Sequence, residues 1–123
     1  MQIETVEIEC ADTAELGTRV SAVFENKSPS LVIGYGNSQL PFAEIQASLS
    51  PYQFPFLVSS SCLGSLLCDS QTVKATCDLA FFCVFDDEGA YGVGSANVVD
   101  NGPFQAGANA LINALKNAGR PYE

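Results

Sequence analysis

Three serines and a cysteine, Ser59, Ser60, Ser61 and Cys62, follow the apolar run 54–58 and lead into Leu63 and Gly64. Hydroxyls donate and accept hydrogen bonds, a thiolate attacks electrophiles, and a glycine lets backbone approach a ligand closely. A second stretch of this kind, GYGNSQ at 34–39, closes the apolar run 31–35. In open α/β sheets, ligands bind in crevices beyond the carboxyl ends of strands. If the two runs are neighbouring strands, Tyr35, Gly36, Asn37, Ser59, Ser60, Ser61, Cys62 and Gly64 converge on one ligand-binding rim. The bland alternative is that the serines cap loops and Cys62 packs.

Catalysis is harder to assemble from these residues. The chain has no histidine, which removes Ser-His-Asp and Cys-His arrangements and the commonest general base. A nucleophile at Ser61 or Cys62 needs an activating base. Only Lys27, Lys74, Lys116 or a carboxylate could serve, and none is near in sequence. The dinucleotide fingerprint G-x-G-x-x-G fails at Gln39, and no phosphate-loop lysine follows. No catalytic residue, metal ligand or cofactor is therefore assigned. The five cysteines are odd in number and include no C-x-x-C pair, so neither a disulfide framework nor a zinc knuckle fits. Cys10 and Cys83 fall in strand-like patterns, where a reduced thiol behaves as a small hydrophobe.

Composition bounds the setting. At 123 residues and 47% hydrophobic, the chain reads as a single domain, 1–123, with a real core. No apolar run approaches the roughly 20 residues of a spanning helix. The N-terminus lacks a signal-peptide pattern, so a cytoplasmic location is expected. A net charge of −9 repels phosphate backbones and anionic lipid, so nucleic-acid and membrane partners are not expected. The acidic cluster at 86–88 reads as a solvated turn.

The elements that position the rim follow from periodicity. Val6, Ile8 and Cys10 alternate with Glu7 and Glu9, predicting a half-buried strand with an acidic outer face. Asp12 and Glu15 suggest a capping box ahead of a helix whose stripe is Leu16, Val20, Val23 and Phe24. The runs 31–35 and 54–58 predict buried strands, joined by a short helix that begins at Pro41 and presents Phe42, Ile45 and Leu49. Residues 63–77 are hard to read, with a strand possible at 72–77. Residues 78–85 predict a strand, and 91–99 an antiparallel return strand weakened or bulged at Gly92 and Gly94. A last helix starts at Pro103, presents Phe104, Ala108, Leu111, Ile112 and Leu115, and ends at Gly119. The expected fold class is α/β: a mixed sheet flanked by three helices, in the order β-α-β-α-β, an irregular stretch, β-β-α.

Three of these stretches, SLVIGYG, FPFLVSSSCLGSLL and the segment 78–119, resemble the N-terminal part of the FIST sensory domain family. The family motif I-I-G-C-S-T-A-G-E-I is matched here over 57–66. Ser61 and Gly64 stand at its serine and second glycine. Ser59, Cys62 and Ser65 replace its first glycine, threonine and acidic residue. The resemblance implies an intracellular sensor that binds a small, amino-acid-like ligand beside a signalling output module. FIST sensory regions are longer than this chain, which implies a fragment or reduced homologue with an open sheet edge or apolar face.

Three functions remain in view. The leading one is a non-enzymatic, cytoplasmic small-ligand sensory domain in signal transduction. The second is an interaction domain that associates through a sheet edge or helix face. The weakest is an enzyme using Cys62 or Ser61. A homodimer is expected, through the last helix with its Ala106, Gly107, Ala110 and Ala114, or through the edge neighbouring the acidic first strand.

Overall fold

Apolar runs in the first 85 residues become the strands of one mixed sheet and the helices that cross over it. The computed structural model describes residues 1–9, 12–61, 65–68 and 73–119, and the chain divides into two units, residues 1–85 and 86–123. In the first unit, β1 (Gln2–Ile8) is followed by a 3₁₀ turn (Thr13–Glu15) and α1 (Leu16–Phe24). Then come β2 (Leu31–Asn37), α2 (Phe42–Leu49), β3 (Phe56–Ser61), β4 (Ser65–Cys68), β5 (Val73–Cys77) and β6 (Leu79–Phe85). The sheet order is β1-β6-β2-β3, and β4 and β5 form a separate antiparallel ribbon. β2 and β3 are parallel neighbours, whereas β6 runs antiparallel to both β1 and β2. The expected α/β class, a mixed sheet with three helices, is what the chain forms.

Alternation sorts the sheet into two faces. Residues directly opposite share a face, so Val6, Phe81, Gly34 and Val58 form one row, and Glu4, Cys83, Val32 and Phe56 another. Their apolar members belong to the core built with Leu16, Val20 and Phe24 of α1 and Ile45 and Leu49 of α2. Glycine at 34 is a packing choice: a Cβ there would come within 2.9 Å of the Phe81 ring. The other face carries the row Thr5, Phe82, Ile33 and Leu57, in which Phe82 and Leu57 stay partly exposed at 39% and 46%.

Local chemistry explains the helix starts, with two adjustments. Asp12 caps the 3₁₀ turn, accepting from the Ala14 amide at 2.9 Å. Glu15 does not complete a capping box: it makes no side-chain cap bond and instead pairs with Arg19 at 3.4 Å. Pro41 is the N-cap of α2 rather than its first helical residue. Its carbonyl accepts from the amides of Glu44 and Ile45.

The second unit corrects one expectation. Residues 91–97 form no strand, and Val98 and Val99 already belong to α3 (Val98–Asn117). Gly92 and Gly94 do not mark a bulge. They lie where extended backbone closes on α3, and a Cβ at Gly94 would stand 2.1 Å from the Ala110 carbonyl oxygen. The Asn97 side chain caps α3, accepting from the Val99 amide at 2.9 Å. Gly102, at φ 74°, interrupts the helix before Pro103 starts its straight portion. The expected C-terminal stop is present: Gly119 adopts φ 71°, and its amide donates to the Lys116 carbonyl. The apolar stripe of this helix is open, with Phe104 90% and Leu111 62% exposed. The acidic segment does form a turn, in which the amides of Glu88 and Gly89 donate back to Asp86. The Tyr91 hydroxyl also donates to the Asp86 carboxylate at 2.8 Å, holding that carboxyl below its ordinary range.

Candidate functional site

The parallel pairing of β2 and β3 brings two of the chemistry-bearing stretches to one end of the sheet. In register, Tyr35 lies opposite Ser59, Gly36 opposite Ser60, and Asn37 opposite Ser61. These are the carboxyl ends of both strands, where an open α/β sheet presents its ligand crevice. Cys62 and Gly64, which complete the sequence-derived set, lie outside the described residues.

Strand alternation divides the set. Tyr35 and Ser59 continue a row that also holds Ala80 and Glu7, on the face away from α1 and α2. The next pair on that face is Asn37 and Ser61. Gly36 and Ser60 stand on the helix-facing side, in the row of Leu79 and Ile8. Gly36 is buried, and a Cβ there would meet the Leu40 side chain at 2.9 Å and Leu79 at 3.1 Å. Its glycine identity serves packing under the turn. Tyr35, by contrast, is 51% exposed, and Ser59 and Ser60 are exposed.

Backbone hydrogen bonds and the Asn37 side chain hold the end of β2. The Asn37 amide donates to the Asp78 carbonyl at 2.9 Å, tying the end of β2 to the start of β6. The Asn37 carboxamide oxygen accepts from the Gln39 amide at 3.0 Å, and its carbonyl accepts from the Leu40 amide at 3.0 Å. This Asx-type turn is why an Asn suits the position. The β4–β5 ribbon is rooted beside the same end, since β4 begins at Ser65 opposite Cys77, one residue before Asp78. The ribbon also lies against β2 and β6.

Asp78 was missed by sequence reasoning as a rim residue. Its place depends on β6 inserting between β1 and β2, and no local pattern signals that non-local pairing. The groups the register brings to this end are the Tyr35 and Ser59 hydroxyls and the Asn37 carboxamide, and the chain has no imidazole.

Two hollows lie elsewhere in the chain. A groove of about 520 Å³ between α1 and α2 is lined by Gly17, Thr18, Ser21, Glu44 and Ser48 among others, and is shallow and open. In the second unit, a hollow of about 240 Å³ is lined by Ser95, Asn113, Lys116 and Asn117 with neighbouring residues.

Cys83 is a free, buried thiol in the core row of Glu4 and Val32. Burial, and then the Glu4 carboxylate, push it from 9.0 to about 11, against the opposing effect of Lys27, which is ion-paired to Glu4. The folded state thus holds the thiol proton more tightly than the unfolded chain does. The stability this provides is complete below pH 9 and is lost as pH rises towards 11. Iodoacetamide at pH 8, read by peptide mass mapping, should leave Cys83 unmodified in the folded chain and alkylate it in urea. Equal labelling in both states would contradict its burial.

Comparison with family models, with curated proteins and with solved structures returns no match to this chain.

Proposed function

We propose that residues 1–85 bind a small polar, amino-acid-like ligand at the carboxyl ends of β2 and β3. In this reading the chain is a non-enzymatic, cytoplasmic sensory domain that works beside a signalling output module, as its resemblance to FIST domains implies. The observation that supports it most is the register itself, which sets Tyr35 against Ser59 and Asn37 against Ser61 at one strand end. The Tyr35 and Ser59 hydroxyls supply donors and acceptors, and the Asn37 amide group supplies a donor, since its oxygen is engaged by the turn.

A thermal-shift screen of the twenty amino acids and small metabolites tests this, because a ligand that binds only the native state stabilises it by about 2.7 kcal/mol at a hundredfold excess over Kd. At least one amino-acid-like compound should raise the melting temperature. Tyr35→Phe and Ser59→Ala should each weaken its binding about tenfold, the equivalent of one hydrogen bond of about 1.4 kcal/mol. The proposal fails if no compound shifts the transition, or if binding is indifferent to both substitutions.

A further inference from the structure

The sheet has two outer strands, and they are treated differently. β1 carries Glu4 and Glu7, with Glu9 just beyond and Lys27 ion-paired to Glu4. Charges of this kind discourage edge-to-edge pairing. β3 carries none: Phe56–Ser61 holds no charged residue and no proline, and its ladder to β2 runs through six pairs without a bulge. Among the described residues, no strand pairs with its outer side.

The ladder also shows which groups face outward. The Val32 amide donates to the Pro55 carbonyl at 3.0 Å, so the peptide groups of residues 55, 57 and 59 point towards β2. Those of Phe56, Val58 and Ser60 point away from it. Only an extended backbone offers donors and acceptors at matching intervals.

We infer that β3 is an association edge, and that its occupant is β3 of a second copy of this chain. The argument is electrostatic. Two chains of charge −9 repel each other, yet residues 45–68 contain no Asp, Glu, Lys or Arg. This stretch includes the whole of β3, so the edge lies in the part of the chain where a second copy meets least repulsion. An antiparallel pairing centred on Val58 sets Phe56 against Ser60 of the partner subunit and gives every outward peptide group a mate. It closes about a twofold axis, whereas a parallel pairing would leave an unmatched end. The contact is one strand wide, so the dimer is weak and concentration-dependent.

Sedimentation equilibrium of the full chain from low micromolar to millimolar concentration, at two ionic strengths, is the test. A monomer–dimer equilibrium should appear and tighten with salt, as screening relieves the repulsion. Leu57→Lys and Ser60→Pro should each weaken it tenfold or more, the first by placing charge beside the axis, the second by removing an outward donor while sparing the ladder to β2. Gln53→Lys adds the same charge at an exposed position outside the strand and should leave the dimer unchanged. Should the β3 variants not fold, amide exchange of the unaltered chain decides: residues 56, 58 and 60 should slow with concentration, while 57 and 59 stay protected throughout. A monomer at every concentration would overturn the inference. So would a dimer indifferent to both β3 substitutions, or exchange at 56, 58 and 60 that ignores concentration.

Discussion

Phe24→Ala is expected to lower stability by about 3–5 kcal/mol, the usual cost of deleting a fully buried aromatic ring. For a domain whose total stability is about 5–15 kcal/mol, that is a large fraction. Phe24 ends α1 and is wholly buried. Its ring meets Phe81 of β6 edge-on at 5.2 Å and Phe54, just before β3, at 5.3 Å. Tyr52 stands 6.2 Å away, stacked on Phe54, and its hydroxyl donates to the Ser21 carbonyl of α1 at 3.0 Å. One side chain thus joins a helix, a central strand and the entry to the edge strand. Phe104→Ala removes a ring of equal size that is 90% exposed and should change stability by no more than about 0.5 kcal/mol. Urea unfolding of the three chains compares them. If the two substitutions cost the same, the packing around Phe24 is not as described.

The contrast between these phenylalanines shows where sequence reasoning succeeded and where it stopped. The spacing of Leu16, Val20, Val23 and Phe24 identified an apolar stripe, of which Leu16, Val20 and Phe24 are buried and Val23 is half-buried against the core. The same kind of spacing in Phe104, Ala108, Leu111, Ile112 and Leu115 identified a stripe of which Phe104, Leu111 and Ile112 are exposed and Ala108 and Leu115 half-buried. Periodicity reports which residues share a face; what covers that face is a tertiary fact. Strands showed a similar division. The apolar runs 31–35 and 54–58 were readable, and the intervening short helix favoured their parallel pairing, which the register displays. The insertion of β6 between β1 and β2 was not readable, because pairing across more than 40 residues of chain leaves no local mark.

The candidate site was legible to the same depth. Strand ends and small polar residues pointed to one end of the sheet, where the register does place Tyr35, Asn37 and Ser59, but a period of two splits any run of consecutive residues between opposite faces. Tyr35 and Ser59 share one face with each other, while Gly36 and Ser60 share the opposite one. A run such as Ser59-Ser60-Ser61 looks like one cluster in sequence and is two in space. Asp78 entered the same end only through its hydrogen bond from Asn37. A ligand at this rim is expected to feel the Tyr35→Phe change on the open face, whereas a side chain at Gly36 would first require the Leu40 and Leu79 side chains to shift.

In the second unit, Gly92→Ala and Gly94→Ala are expected to release residues 91–97 from α3. A methyl group on Gly92 would lie 2.0 Å from the Ala114 carbonyl oxygen and 2.4 Å from the Ala118 nitrogen. On Gly94 it would lie 2.1 Å from the Ala110 oxygen and 2.4 Å from the Ala114 nitrogen. These are backbone atoms of a helix and cannot turn aside as a side-chain tip could. Between and beyond the glycines, Asn117 donates to the Val93 carbonyl at 2.8 Å and Asn113 to the Ser95 carbonyl at 3.4 Å. The two asparagines are one helical turn apart, so they reach alternate carbonyls of an extended chain. Adding either methyl forces the segment outward and breaks both bonds, at an overpacking cost of about 1–3 kcal/mol. Where opening is fast relative to cleavage, proteolysis follows the population of the open state, so limited chymotrypsin digestion near Tyr91 should speed up roughly tenfold or more. Gly107→Ala is the matched control, because nothing lies within 4 Å of its missing Cβ. Inside a helix that change should stabilise by about 0.5–1 kcal/mol and leave cleavage near Tyr91 unchanged. If Gly94→Ala is cut no faster than the unaltered chain, the segment does not rest on the helix as described, and the glycines at 92 and 94 need another explanation.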